Sequence, residues 1–149
     1  MPMRAVVTRV SSASVEISSQ RTASIGKGFL VLLGIKNTDT EQDAIKLATK
    51  VCTLRVFEDS EGKMNLDLEA VGGSILVVSQ FTLYANTKSR RPGFTDAAKA
   101  DIAIPLYEKF IEQCEKSGFT VETGSFGAMM NVASINDGPV TIILETQEP

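Results

Sequence analysis

Phe29-Leu30-Val31-Leu32-Leu33-Gly34-Ile35 is a continuous apolar run, introduced by the turn residues Gly26-Lys27-Gly28. A short run without polar alternation reads as a strand buried on both faces. Ser74-Ile75-Leu76-Val77-Val78, opened by Gly72-Gly73, has the same character. Outward from these, Arg4 to Val10 reads as a Val-rich strand and Ala13 to Ile17 as a second, with Val15 and Ile17 on one face. Ala23-Ser24-Ile25 is a short strand, and Asp59-Ser60-Glu61-Gly62 is turn chemistry. Thr40-Glu41-Gln42-Asp43 has the form of a helix start, a capping hydroxyl followed three residues later by an acid. Ala44, Leu47, Ala48, Val51 and Cys52 then recur at helical spacing.

A second helix is predicted from about Asp101 to Ser117, with Leu106, Tyr107, Phe110, Ile111 and Cys114 as its apolar stripe. Pro105 is expected in its first turn, where backbone donors are free in any case. Thr120 to Thr123, Met129 to Ile135 and Val140 to Leu144 complete the strands. Strands, helix, strands, helix, strands is not the regular alternation of a doubly wound sheet. The expectation is a single α+β domain over residues 1–149, a curved, mostly antiparallel sheet or barrel covered by two helices.

A chain of 149 residues can bury enough surface to stand without staples. Cys52 and Cys114 fall among apolar neighbours and read as small buried hydrophobes rather than a disulfide or a thiolate metal site. No apolar run is long enough to span a bilayer, and Met1-Pro2-Met3-Arg4 does not open like a secretory signal, so a cytoplasmic location is expected. The chain contains no histidine, which excludes Ser-His and Cys-His pairs, a histidine base and histidine metal ligands. Glu41, Asp43, Asp67 and Glu69 show no metal-site spacing, and no nucleotide-binding glycine motif occurs. No metal and no cofactor are expected. A net charge of −3 argues against a large nucleic-acid footprint but leaves room for a grip on an RNA end. Lys88, Arg90 and Arg91 form the densest positive cluster, read either as a solvated loop or as a local phosphate contact. Lys63 and Asn65 read as solvated, Tyr84 and Tyr107 as packing residues.

Two segments carry chemistry. Asn136-Asp137-Gly138-Pro139-Val140-Thr141 reads as a hairpin connection, since Asp-Gly between strand patterns is a hairpin signal. It reads equally as a site, because Pro at a strand mouth costs a ladder donor and Gly before it can take unusual backbone angles. If that bond were cis, consecutive carbonyls would face one way and gauge a ligand atom. Ser79-Gln80-Phe81-Thr82-Leu83 reads as a strand end, with Phe81 and Leu83 alternating into the core. It reads also as a site edge, where Thr82 lacks a histidine to activate it and backbone amides could form an oxyanion hole.

The two segments and their flanks resemble the D-aminoacyl-tRNA deacylases over nearly the whole chain. Further likeness lies in Arg9-Val10, Gly28 to Gly34, Glu61 to Asn65, Leu76 to Leu83, Arg91 to Phe94, and Thr123 to Ala128 running into Met130. The intact Ser79 to Thr82 segment favours the D-specific branch over the animal-type tRNA deacylases. The resemblance implies a homodimer that hydrolyses the ester joining a D-amino acid, or glycine, to the 3′-terminal adenosine of tRNA. Its partners would be D-aminoacyl-tRNA and glycyl-tRNA, with no membrane.

By the same resemblance Gly138-Pro139 would be cis, would enter the partner subunit's pocket and would exclude an L side chain. Arg9 would hold that pair, and Ser79, Gln80, Phe81 and Thr82 would line the pocket as the catalytic segment. Phe94 and Met130 would lie near the adenosine, and Asn136 and Thr141 would complete the substrate-binding set. The chemistry would rest on backbone groups and the tRNA's 2′-hydroxyl. The alternatives are a Thr82-nucleophile esterase, a module that binds an aminoacyl-tRNA end without turnover, and, weakest, a purely structural dimer.

Overall fold

The computed structural model describes residues 3–146. Met1 and Pro2, part of the opening segment weighed above as a signal, lie outside them. Eight strands and two α-helices follow in the order β1 (Arg4–Ile17), β2 (Gln20–Ile25), β3 (Gly28–Gly34), α1 (Glu41–Thr53), β4 (Phe57–Glu58), β5 (Met64–Leu66), β6 (Ser74–Ser79), α2 (Ala100–Lys116), β7 (Val121–Thr123) and β8 (Asn131–Glu145), counted among the described residues.

Arg4 to Val10 and Ala13 to Ile17 are one strand, not two. The first half of β1 pairs antiparallel with β3 and the second half with β2, while β8 pairs antiparallel along both. β6 joins β3, and β7 joins β6, both in parallel. The sheet is therefore mixed, and it curls until β2 approaches β6 and β7, nearly closing a barrel. Phe29, Val31 and Leu33 face a core shared with the helices. Leu30 and Leu32 face a second core inside the curl, with Val10, Val15, Leu76 and Val78. The apolar run is thus buried on both faces, as its composition requires. Gly28 opens this strand at φ +157°, where an added Cβ would lie 1.8 Å from the Ser74 carbonyl oxygen; only glycine lets β3 and β6 approach there.

Thr40 caps α1 in a capping box: Asp43 N–H donates to Thr40 Oγ1 (3.4 Å) and Thr40 N–H donates to Asp43 Oδ2 (2.8 Å). Ala44, Leu47, Ala48, Val51 and Cys52 bury the expected face. On α2 the buried face is Ala103, Leu106, Tyr107, Phe110 and Cys114, with Ile111 half-buried. Pro105 lies beyond the first turn, because the helix begins at Ala100. It has no N–H to give the Asp101 carbonyl, and Asp101 is exposed. Both cysteines are buried free thiols. The buried Tyr107 donates its hydroxyl to the Val77 carbonyl at 2.9 Å, a packing role. Among the described residues no helix is long and apolar enough to cross a membrane.

Candidate active site

β6 ends at Ser79, and the chain turns at once. Gln80 N–H donates to the Leu33 carbonyl (2.8 Å), and Phe81–Tyr84 form a 3₁₀ turn. A turn of period three replaces strand alternation, which corrects the reading of Phe81 and Leu83 as inward-facing. Phe81 is 54% exposed, Leu83 is half-buried, and Tyr84 is the side chain that goes in. Arg4 secures the turn from β1: its Nη1 donates to the Leu83 carbonyl at 2.9 Å, and its guanidinium lies over the Tyr84 ring at 5.1 Å. Glu145 on β8 stands 3.4 Å from the same guanidinium. The Gln80 amide donates to Thr82 Oγ1. Thr82 therefore meets an amide rather than a base.

In front of the turn lies a cavity of about 300 Å³ lined by Val78, Ser79, Gln80 and Phe81 on one side. Phe126, Gly127, Ala128, Met129, Met130 and Val132 line the other. Phe94 reaches its rim through Phe81, the two rings meeting edge-on with centroids 5.1 Å apart. Phe126, Met129 and Val132 were not singled out from the sequence. Their only sequence signal was the glycine-flanked loop of Gly124 and Gly127 leading into β8.

The Asn136 to Thr141 segment is not a hairpin. Asn131 to Asn136 and Thr141 to Glu145 both pair with β1 in one continuing antiparallel direction. Between the pairs Thr8–Thr141 and Val10–Asn136, Arg9 alone faces Asp137, Gly138, Pro139 and Val140. The chain bulges there without reversing. Asn136 Nδ2 donates to Thr141 Oγ1 (3.2 Å) and Val140 N–H donates to Asn136 Oδ1 (2.9 Å), closing the neck of the bulge. Gly138 and Pro139 form its exposed tip, joined by a cis peptide bond.

Arg9, 5% exposed, holds the bulge from inside. Its Nε donates to the Asp137 carbonyl (2.8 Å) and its Nη1 to the Val56 carbonyl (2.6 Å). The carboxylates of Asp137 and Glu58 stand 3.6 and 3.9 Å away, and the guanidinium lies 6.0 Å from the Phe57 ring centroid. β4 and the residue before it are thus the backing of the clamp, a role the sequence did not reveal.

The structure brings Ser79, Gln80, Phe81 and Met130 into one cavity, with Phe94 at its rim and Thr82 behind Gln80. It brings Arg9, Asn136, Gly138, Pro139 and Thr141 together elsewhere, at the bulge. The space of about 220 Å³ beside Arg9 is lined by Lys27, Phe57, Glu58, Val71 and Asp137, and shares no residue with the first cavity. Among the described residues no group of three or more Cys, Asp or Glu is placed to hold a metal ion.

Asp39 lies behind the 3₁₀ turn. Its Oδ2 accepts from Lys36 N–H at 2.6 Å, while its Oδ1 is buried with no hydrogen-bond partner among the described residues. Burial pushes its carboxyl up from 3.8 to about 6, the Lys36 hydrogen bond opposing the shift and the Asp43 charge adding to it. The phenol of Tyr84 is likewise raised, by burial first and by the Asp39 charge second. A carboxyl whose pKa is higher folded than unfolded favours folding only while protonated. Its contribution is full below 3.8 and is lost as pH climbs through about 6. Asp39→Asn should therefore gain stability relative to the parent between about pH 4 and about pH 7, read from urea midpoints. An unchanged difference across that window would refute the assignment.

Comparison with known proteins places this geometry. The family model described as D-Tyr-tRNA(Tyr) deacylase matches residues 6–145. A D-aminoacyl-tRNA deacylase of Chlorobaculum parvum is 55% identical over 146 residues, covering 97% of this chain and 98% of its own. One of Thermus aquaticus is 54% identical, covering 98% and 97%. Among solved structures, the c-Myc DNA Unwinding Element Binding Protein superposes with a TM-score of 0.90 at 40% identity, over 98% of this chain and 99% of that one. A probable eukaryotic D-amino acid tRNA deacylase shares the fold, with a TM-score of 0.83 at 17% identity over 97% of this chain and 100% of that one. A match along almost the entire length, with relatives more than half identical, means that this chain belongs to the D-aminoacyl-tRNA deacylase family, hydrolases of the aminoacyl-tRNA ester.

Proposed function

We propose that this chain cleaves the ester between a D-amino acid, or glycine, and the 3′-terminal adenosine of tRNA, as a cytoplasmic homodimer whose Gly138-Pro139 tip gauges substrate in the partner subunit's cavity. Family membership supports the reaction. One observation carries the cross-subunit gauge: the tip is held by a buried arginine, yet neither Gly138 nor Pro139 lines the cavity of its own chain. Among the described residues β8 pairs only with β1, and it exposes Val132, Ile135 and Ile143. A long edge strand with exposed apolar residues is a surface that a second chain covers.

In the reaction, water adds to the ester carbonyl carbon and the bond to the ribose oxygen breaks. The products are the free amino acid and the tRNA hydroxyl. The amides of Phe81 and Thr82 open the 3₁₀ turn and, among the described residues, take no backbone acceptor. Phe81 lines the cavity, so its amide, with that of Thr82 next to it, is a donor for a developing oxyanion. With no histidine in the chain, the proton is left to water and to the substrate's 2′-hydroxyl. Thr82, bonded to the Gln80 amide, is not set up as a nucleophile.

The test is ester loss from matched D- and L-tyrosyl-tRNA. The expected result is rapid loss of the D form alone. Equal loss of both would remove the chiral gauge, and loss of neither would leave an RNA-end binder without turnover.

A further inference from the structure

Lys88, Arg90 and Arg91 are exposed on the loop that follows the 3₁₀ turn. In a chain of net charge −3, none of the three stands within ion-pair distance of a carboxylate among the described residues. The loop is built rather than loose. Asn86 and Gly93 exchange both backbone hydrogen bonds, at 2.7 and 2.9 Å. Asn86 Oδ1 accepts from Lys88 N–H (3.0 Å), and Ser89 Oγ donates to the Arg91 carbonyl (2.8 Å). Both ends are fastened to the cavity rim. Ala85 N–H donates to the Thr82 carbonyl at 3.1 Å, and the returning strand of the loop ends in Phe94, whose ring meets Phe81.

An acidic protein that takes a polyanion must hold it on a local patch, and phosphate contacts set register rather than read sequence. We infer that Lys88, Arg90 and Arg91 grip the phosphates immediately 5′ of the terminal adenosine, so that the acceptor end leaves the cavity along this loop. The inference rests on the proposed tRNA ester substrate. A terminal nucleoside at the Phe81–Phe94 rim has its preceding phosphates alongside this loop, whose unpaired cations stand between the paired Asn86 and Gly93. The fold supplies the orientation because the catalytic turn and the loop are consecutive in the chain and share hydrogen bonds.

The experiment compares two esters, D-tyrosyl-tRNA and D-tyrosyl-adenosine, the second lacking every phosphate. For the parent, kcat/KM on the tRNA should fall with salt at a log–log slope of about −2, the value for three single-strand phosphate contacts. K88Q/R90Q/R91Q should lose most of that slope, and its ratio of tRNA to adenosine kcat/KM should drop roughly 10-fold at low salt, through KM rather than kcat. K88R/R90K/R91K, which keeps the charge, should retain both. A neutral variant with an unchanged ratio and slope would overturn the inference while leaving the deacylase reading intact. A parent that cleaves neither ester would overturn both.

Discussion

Arg9→Ala is expected to lower the free energy of unfolding by roughly 3 kcal/mol. The loss comes from the two carbonyls that the guanidinium serves. The Val56 carbonyl would be left without its donor in a buried position and the Asp137 carbonyl in a half-buried one, and an orphaned buried acceptor costs about 1–3 kcal/mol. The carboxylates contribute little: the Glu58 and Asp137 side chains are 59% and 45% exposed and would be hydrated once the arginine is gone. Arg9→Lys should recover less than half of the loss. One ammonium cannot reproduce the guanidinium's two directed hydrogen bonds, from Nε and from Nη1. Urea unfolding of the three proteins at one pH decides this, and an Arg9→Ala variant within 1 kcal/mol of the parent, to which we assign about a third of the expected loss, would show that the bulge holds itself.

Gly138→Ala is expected to reduce D-aminoacyl ester hydrolysis by about 100-fold, the scale of misplacing a positioning group by about 1 Å. Gly138 sits at φ +141°, and a Cβ there would lie 2.8 Å from Val140 Cγ2 and 3.0 Å from Arg9 Nη2 and Val140 N. Two of those neighbours are constrained, the amide by its bond to Asn136 and the guanidinium by its two carbonyls. The tip must therefore move, at a cost in stability on the order of 1–3 kcal/mol. A readout separates the gauge from simple unfolding. Gly138→Ala, with an open cavity and a displaced tip, can be co-refolded with Ala128→Phe, whose cavity is filled but whose tip is native. If tips act across subunits, about a quarter of the sites in an equal mixture pair a good cavity with a good tip, and activity returns to that level. Activity that stays at the level of the separate variants would show that tip and cavity of one chain serve each other.

Local features were legible because neighbours in sequence encode them. The Phe29 to Ile35 run announced a strand covered on both faces. Thr40 and Asp43 announced the first turn of α1, and the stripes from Ala44 to Cys52 and from Leu106 to Cys114 announced which helix faces are buried. Each depends on contacts within about four residues or on a side chain's plain preference to leave water. The resemblance to a deacylase was legible for the same reason, as short runs of residues in order.

Other features depended on partners far along the chain. Asp-Gly between two strand patterns is correctly a hairpin signal, and it failed because Asn131 to Asn136 and Thr141 to Glu145 share one partner strand, β1. Phe81 and Leu83 followed strand alternation until the Arg4 hydrogen bond to the Leu83 carbonyl and the buried Tyr84 drew the chain into a 3₁₀ turn. Pro105 entered α2 past its first turn because burial of Ala103 and Leu106 carries the helix back to Ala100. By itself, then, the sequence determined both helices with their buried faces, the two central strands β3 and β6, and the family. Tertiary structure alone decided that β8 bulges instead of turning, that Arg9 clamps it against Val56, and that tip and cavity lie apart in one chain. Pairing register and the fate of a buried guanidinium are settled by residues more than a hundred positions apart, and no local pattern encodes such a contact.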